Sequence, residues 1–200
     1  ASSSEVYGKS DNLPFKEEDD RVYGSAFHNR WGYGLSKGSD EFLGLAYFRE
    51  KNLPVVIVRL FNVIGPRQSG AYGMVVPRFI KQALSGEPIT IYGDGCQTRC
   101  FGNVEDVVNI LIGLINNPEA PGCIFNVGSD EEISIKELAK KIKELTGSKS
   151  RIEFVPYAQV YGSDFEDMLH RRPDISKVKN LIGYEPKFTL EESLKKLLII

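Results

Sequence analysis

The chain is poor in the residues that disulfide frameworks and metal sites draw on. It has three cysteines (Cys96, Cys100, Cys123) and two histidines (His28, His170). An odd cysteine count without a Cys-x-x-Cys pair excludes a disulfide scaffold and points to reduced thiols in a cytoplasmic protein. Neither histidine has a cysteine or carboxylate at ligand spacing, so no metal site is expected. Charge of one sign is lacking as well. Twenty-five Lys+Arg stand against 27 Asp+Glu, a net charge of -2, which leaves no general basic field for nucleic acid. No apolar run reaches the roughly 18 to 20 residues of a membrane span, and no export signal opens the chain. What is present, 42% hydrophobic and 26% charged residues with 19 Gly and 10 Pro, suits a folded α/β or α+β protein, one domain or part of a larger one.

The opening Ala1-Ser2-Ser3-Ser4-Glu5-Val6-Tyr7-Gly8 reads as the tail of a strand and its loop, with the strand itself expected upstream. Asn12 to Arg30 is polar and reads as a long loop, a length that usually serves function. From Trp31 to about Glu50, Leu35, Phe42, Leu43, Ala46 and Tyr47 recur at helical spacing. Leu53 to Leu60 is a continuous apolar run with the look of a buried parallel strand. Asn62 to Gly73 reads as Gly/Pro-punctuated loop, Val75 to Leu84 as a helix stopped by Gly86, and Pro88 to Tyr92 as a strand stopped at Gly93. Val104 to Ile115 predicts an amphipathic helix and Cys123 to Val127 a short strand. Ser134 with Glu137, and Thr189 with Glu192, form two capping boxes; the first opens a helix to about Leu145, stopped by Gly147. Arg151 to Val155 is a strand candidate, followed by loop to Pro173, and Asp174 is placed to cap a short helix to Leu181. The lysines Lys140, Lys141 and Lys143 share their helix with Glu137 and Glu144 and read as a solvated face. Strands alternating with helices predict an α/β layer architecture.

Tyr33 and Lys37 are four apart, so on a helix they share a face. A tyrosine hydroxyl, with an ordinary pKa of about 10, is a poor base. A neighbouring ammonium favours the phenolate, which makes the pair a plausible general acid/base unit. Alone the spacing is common, and packing plus a surface lysine is the more frequent reason for it. Around it stand Ser2-Ser3-Ser4-Glu5 and Arg-Trp-x-Tyr-x-x-Ser-Lys. Further on come Arg59-Leu60-Phe61-Asn62-Val63-Ile64-Gly65-Pro66-Arg67, Val76-Pro77-Arg78-Phe79, Tyr92-Gly93-Asp94-Gly95-x-Gln97-Thr98-Arg99, Phe125-Asn126-Val127-Gly128 and Gly183-Tyr184-Glu185-Pro186. In this order the motifs resemble the extended short-chain dehydrogenase/reductases, NAD-dependent enzymes that modify nucleotide sugars, and the resemblance runs through essentially the whole chain.

The resemblance implies a Rossmann-like α/β fold. Residues 1–60 would be the remainder of a dinucleotide-binding domain with the catalytic helix. Residues 61–200 would be mainly a nucleotide-sugar-binding region interleaved with the last sheet strands. It implies a Ser3/Tyr33/Lys37 triad, in which Tyr33 takes a proton from a sugar hydroxyl, Ser3 holds the same oxygen and Lys37 binds the nicotinamide ribose; otherwise Ser3 is a loop hydroxyl satisfying backbone groups. Asn62, Arg99 and Arg171 match positions that touch the nucleotide diphosphate or its neighbours, and Val75, Thr90 and Tyr92 match positions around the pyrimidine. Asn103 departs from the His or Tyr that relatives commonly carry.

Ser4 stands where the sugar-nucleotide dehydratases carry an acid, which disfavours dehydration. Ser-Ser-Glu with His170-Arg171-Arg172-Pro173 looks most like the UDP-glucuronate decarboxylases, with Glu5, Ser3 and Arg171 assisting; UDP-hexose 4-epimerisation is the alternative. No Gly-x-x-Gly-x-x-Gly loop occurs in these 200 residues, and only Ser69 to Gly73 is a comparable Gly-rich stretch. The chain by itself is therefore expected to show no measurable NAD affinity and no turnover, with weak affinity for UDP or a UDP-sugar. A rival of another class is a non-catalytic remnant or dimerisation module, since in relatives the helix bearing Tyr33 and Lys37 packs against a second subunit as a homodimer.

Overall fold

The computed structural model describes residues 1–70, 74–162 and 166–198. The last three residues of the Gly-rich stretch at 69–73 lie outside the described residues. The chain opens with β1 (Ser2–Ser3), a 3₁₀ turn (Ser4–Tyr7) and a long loop, then α1 (Gly32–Lys51), β2 (Ile57–Leu60) and β3 (Asn62–Ile64). It continues through α2 (Val75–Ser85), β4 (Ile89–Tyr92), β5 (Thr98–Asn103), α3 (Val104–Ile115), β6 (Ile124–Val127) and β7 (Glu132–Ser134). It ends with α4 (Ile135–Leu145), β8 (Ile152–Val155), α5 (Tyr157–Tyr161), α6 (Ser176–Ile182) and α7 (Leu190–Leu198).

Strands β1, β2 and β6 form one parallel sheet, with Ser2 opposite Arg59 and Arg59 opposite Asn126. β3 pairs parallel with β5, which pairs antiparallel with β7, and β4 pairs parallel with β8. The β-branched run before Phe61 forms its ladder only from Ile57, where β1 and β6 flank it. Val58, Val107, Ile110, Leu114, Phe125 and Val178 make one core under this first sheet. Phe79, Ile89, Ile91, Leu138, Ile142 and Leu194 make a second, between α2, α4, α7 and β4. A third, of Tyr7, Phe15, Trp31, Phe61 and Met168, lies beneath the opening turn, with Tyr7 and Phe15 stacked at 4.5 Å.

Both capping boxes form. Ser134 Oγ accepts from the Glu137 amide and the Glu137 carboxylate accepts from the Ser134 amide; Thr189 and Glu192 repeat the arrangement. Asp174 accepts from the Ser176 amide, so it sits one position before the N-cap, Ile175, of the helix it serves. Asn103 is the N-cap of α3, accepting from the Glu105 amide while its own amide donates to Ser193 Oγ, which ties α3 to α7. The stretch read as loop from Asn62 begins with β3, because its three residues gain a parallel partner in β5. Strands β5 and β7 and helix α5 were not foreseen either. β5 is buried along nearly its whole length although it carries Thr98, Arg99 and Asn103, so it has no apolar alternation to read.

Candidate active site

Helix α1 reaches the opening turn through a glycine. A Cβ at Gly34 would lie 2.5 Å from the Glu5 carbonyl oxygen, so close approach of α1 to the turn depends on hydrogen at that position. Gly38, one turn on, faces the Arg21 guanidinium of the long loop instead. Gly34 follows Tyr33, whose side chain lines the same cavity as Ser3 and Glu5. Tyr23 Oη, within reach of both the Val6 and Gly34 carbonyls, bonds the long loop to this junction.

A cavity of about 710 Å³ opens here, lined by Ser3, Glu5, Arg30, Tyr33, Asn62 and Arg171 among others. Tyr33 is 54% exposed at its mouth. Lys37 does not line it: its ammonium bonds Asp40 Oδ2 at 2.9 Å, and that bond holds its pKa above the ordinary value. Ser3 lines the cavity and also caps the turn, its Oγ accepting from the Glu5 amide at 3.3 Å.

The floor is ionic. Arg171 Nη2 lies 2.6 Å and Arg30 Nη1 2.5 Å from the Glu5 carboxylate. Arg30 also reaches Asp167 at 3.8 Å, and Arg99 bonds both Asp167 oxygens at 3.1 Å. Three guanidinium groups therefore face two carboxylates. Burial opposes the Glu5 charge, but Arg171 and Arg30 overcome it and hold the carboxyl below its ordinary pKa. Arg171 is only 9% exposed, and its Nε has no partner. Burial first, and repulsion from Arg99 next, pull its pKa down to about 10, so it stays a cation at neutral pH. A buried donor without a partner is costly, and Arg171 lines the cavity.

A smaller cavity of about 120 Å³ shares Asn62 and Val75 with the first and adds Arg78, Tyr92, Gln97, Arg99 and Tyr157. Arg78 stacks over the Tyr92 ring at 3.7 Å, and its Nε and one Nη are buried without partners, as is Gln97 Oε1. Of the residues named from the sequence, Ser3, Glu5, Tyr33, Asn62, Val75 and Arg171 converge on the larger space, Asn62, Val75, Tyr92 and Arg99 on the smaller, and Lys37 on neither. Thr90 lines neither; its hydroxyl and amide are both bonded to Gln82. Arg30, Arg78 and Asp167 were not singled out. Arg30 and Arg78 lay within recognised motifs, but an arginine on a polar loop or a helix reads as a solvated charge until its partners are placed. Among the described residues no group of three His, Cys, Asp or Glu is set to hold a metal ion, and no helix is long and apolar enough to cross a membrane.

A parallel sheet flanked by helices, with a tyrosine and a lysine on one helix face beside a serine turn, defines an extended short-chain dehydrogenase/reductase. The family model described as GDP-mannose 4,6 dehydratase matches residues 1–197, and the chain belongs to that family. It is 45% identical over 196 residues to a UDP-N-acetyl-alpha-D-glucosaminuronate decarboxylase of Bacillus cytotoxicus, covering 98% of this chain and 60% of that protein. It is 42% identical over 197 residues to UDP-glucuronic acid decarboxylase 1 of Danio rerio, covering 98% and 45%. Among solved structures, UDP-glucuronic acid 4-epimerase from Bacillus cereus in complex with UDP-glucuronic acid and NAD superposes with a TM-score of 0.84 at 30% identity, over 98% of this chain and 58% of that one. The chain thus spans about half of the relatives it matches.

Proposed function

We propose that the whole protein is an NAD-dependent enzyme acting on a UDP-sugar acid, a UDP-glucuronate decarboxylase in reaction type. The observation that carries this reading is the unpartnered Arg171 Nε on a cavity floor with more guanidinium than carboxylate groups. A neutral sugar can offer that donor only a hydroxyl oxygen; a sugar carboxylate offers it a shorter, charge-assisted bond of roughly twice the strength. The names of the relatives above fit the same substrate class.

Tyr33 at the cavity mouth and Lys37 one turn on would hold the nicotinamide ribose, Lys37 exchanging its bond to Asp40 for the ribose hydroxyls. No glycine-rich phosphate turn is among these 200 residues. When bound, NAD supplies a reversible oxidation at sugar C4. Tyr33 serves as base for the C4 hydroxyl proton, and Ser3 holds the same oxygen. The ketone so formed lies β to the sugar carboxylate. When the C5–C6 bond breaks, carbon dioxide leaves and the electron pair moves onto the C4 oxygen as an enolate. The Ser3 and Tyr33 hydroxyls neutralise that oxygen, and C5 then takes up a proton. Glu5, kept ionised between two arginines, fixes the guanidinium groups that receive the carboxylate. Arg78, Tyr92, Asn62 and Arg99 hold the nucleotide, with the base against Tyr92 and Val75 and the diphosphate on the guanidinium groups. The first sheet serves the cofactor and the second core the nucleotide sugar. The exposed Leu35, Phe42, Leu43 and Tyr47 on α1 fit the face of a homodimer.

The test is to offer the full-length protein UDP-glucuronate, and its N-acetylglucosamine-derived counterpart, with NAD. Carbon dioxide and a decarboxylated UDP-sugar support the reading. A C4 epimer without carbon dioxide assigns 4-epimerisation instead, and neither product rejects both.

A further inference from the structure

Beneath the cavity lies a second ionic cluster that the chemistry above does not use. Arg59, 2% exposed on β2, donates from Nε and Nη2 to the two oxygens of Glu41, 1% exposed on α1, at 2.9 and 2.8 Å. Ser2 Oγ donates to Glu41 Oε1 and Arg21 to Oε2, each at 2.5 Å. Arg59 Nη1 donates to Tyr7 Oη and to the Glu17 carbonyl, both at 2.9 Å, and Tyr7 Oη donates to Asn126 Oδ1 at 2.6 Å. No side-chain atom of Glu41, Arg59, Ser2, Tyr7 or Asn126 is buried without a partner.

The placement of these groups is more informative than their number. At 3.6 residues per turn, Tyr33, Lys37 and Glu41 follow one another along the same side of α1. Ser2 and Arg59 are register partners on neighbouring parallel strands, and both grip the same carboxylate. Ser2 immediately precedes Ser3, and Tyr7 follows Glu5 by two residues. The turn carrying Ser3 and Glu5 is thus held before by Ser2 through Glu41, and after by Tyr7 through Arg59. Core packing alone would not require a bidentate pair whose remaining bonds reach both ends of that turn as well as Arg21 and Glu17 of the long loop.

We infer that Glu41 and Arg59 are positioning residues, which set the Ser3–Glu5 turn in register with the Tyr33–Lys37 face of α1. The inference rests on the catalytic reading proposed above. Burial opposes the Glu41 charge, but its bonds to Arg59 and Ser2 keep the carboxyl below its ordinary pKa, so the link stays ionic at neutral pH.

The test uses the full-length protein and three variants, with Tyr33→Phe as a check on the catalytic reading. Ser2→Ala removes one hydroxyl and leaves Glu41 paired with two arginines. Arg59→Lys keeps the charge but loses the fork that joins Glu41 to Tyr7. Leu114→Ala, in the core under the first sheet, is a destabilised control. Calorimetric titration with UDP counts folded sites. Ser2→Ala is expected to slow single-turnover sugar oxidation per site about tenfold and Arg59→Lys about a hundredfold at unchanged KM, in keeping with the roughly 10²-fold cost of a 1 Å misplacement. The Glu5 amide, which donates to Ser3 Oγ, is expected to exchange with solvent faster in Ser2→Ala. Leu114→Ala is expected to melt earlier while keeping the wild-type rate per site. Wild-type rates per site in the two cluster variants, or a rate in Leu114→Ala that falls as far as theirs, overturn the inference. Should Arg59→Lys not fold, Ser2→Ala decides alone. If the wild-type protein oxidises no UDP-sugar, or Tyr33→Phe keeps full activity, it is the catalytic reading that fails; the Glu5 exchange rate then still decides whether the device exists.

Discussion

Two arginine–glutamate clusters flank the turn Ser4–Tyr7, and they are built on opposite principles. Around Glu41 and Arg59, each buried donor and acceptor named above has a partner within the chain. Around Glu5, Arg30 and Arg171, the carboxylate is saturated while the Arg171 Nε is left over. Arg78 and Gln97 extend this incompleteness into the neighbouring cavity. A complete buried network rigidifies. An incomplete one, costly in isolation, is what a binding site looks like before its ligand arrives. The comparison predicts that the first cluster governs stability and alignment and the second governs affinity.

The sharpest way to break that division is to remove one partner from each. Glu41→Leu strands two guanidinium groups, one fully buried, and should cost about 3–5 kcal/mol in urea unfolding. Arg171→Met leaves Glu5 paired with Arg30 and should change stability by less than about 1 kcal/mol, while activity falls by about 10²–10³-fold. Tyr33→Phe, at a half-exposed position, should leave unfolding unchanged and lower kcat by about 10²–10⁴-fold. Arg78→Ala should weaken UDP binding by about 10- to 100-fold, the value of a hydrogen bond to a charged group, without affecting the melting temperature. The smallest effect is expected away from both clusters: Asn103→Ala removes the α3 cap and should cost about 1 kcal/mol, with UDP affinity intact.

Acid should sharpen the same contrast. Glu5 and Glu41 both have depressed pKa values in the folded protein. Their stabilisation is therefore present above the unfolded carboxyl value of about 4.3 and lost as pH falls through the folded values. Unfolding free energy should drop in that range, and Glu41→Gln should flatten the drop because it removes one of the carboxyls whose pKa differs between the folded and unfolded states.

Much of this fold could be read from the chain. Helices α2 and α3 and both capping boxes were visible because apolar spacing and cap residues are local signals. β3, β5 and β7 were not, since a three-residue strand beside Gly65-Pro66, or a buried strand carrying Arg99 and Asn103, owes its existence to its partners. The site divided in the same way. Ser3, Glu5, Tyr33 and Arg171 stood out through motifs. Arg30 and Asp167 acquire meaning only when loops distant in sequence close around Glu5 and Arg99. Thr90, expected near the pyrimidine, is instead bonded to Gln82, a pairing that depends on how α2 packs against β4.

The central claim, that the unpartnered Arg171 donor selects an anionic sugar, is tested most directly by calorimetric titration of the full-length protein with UDP-glucuronate and UDP-glucose. The wild type should bind the uronate about 10- to 100-fold more tightly, and Arg171→Met should bring the two affinities together while UDP itself binds as before. Equal affinities in the wild type, or a preference for the uronate that survives Arg171→Met, would contradict the account.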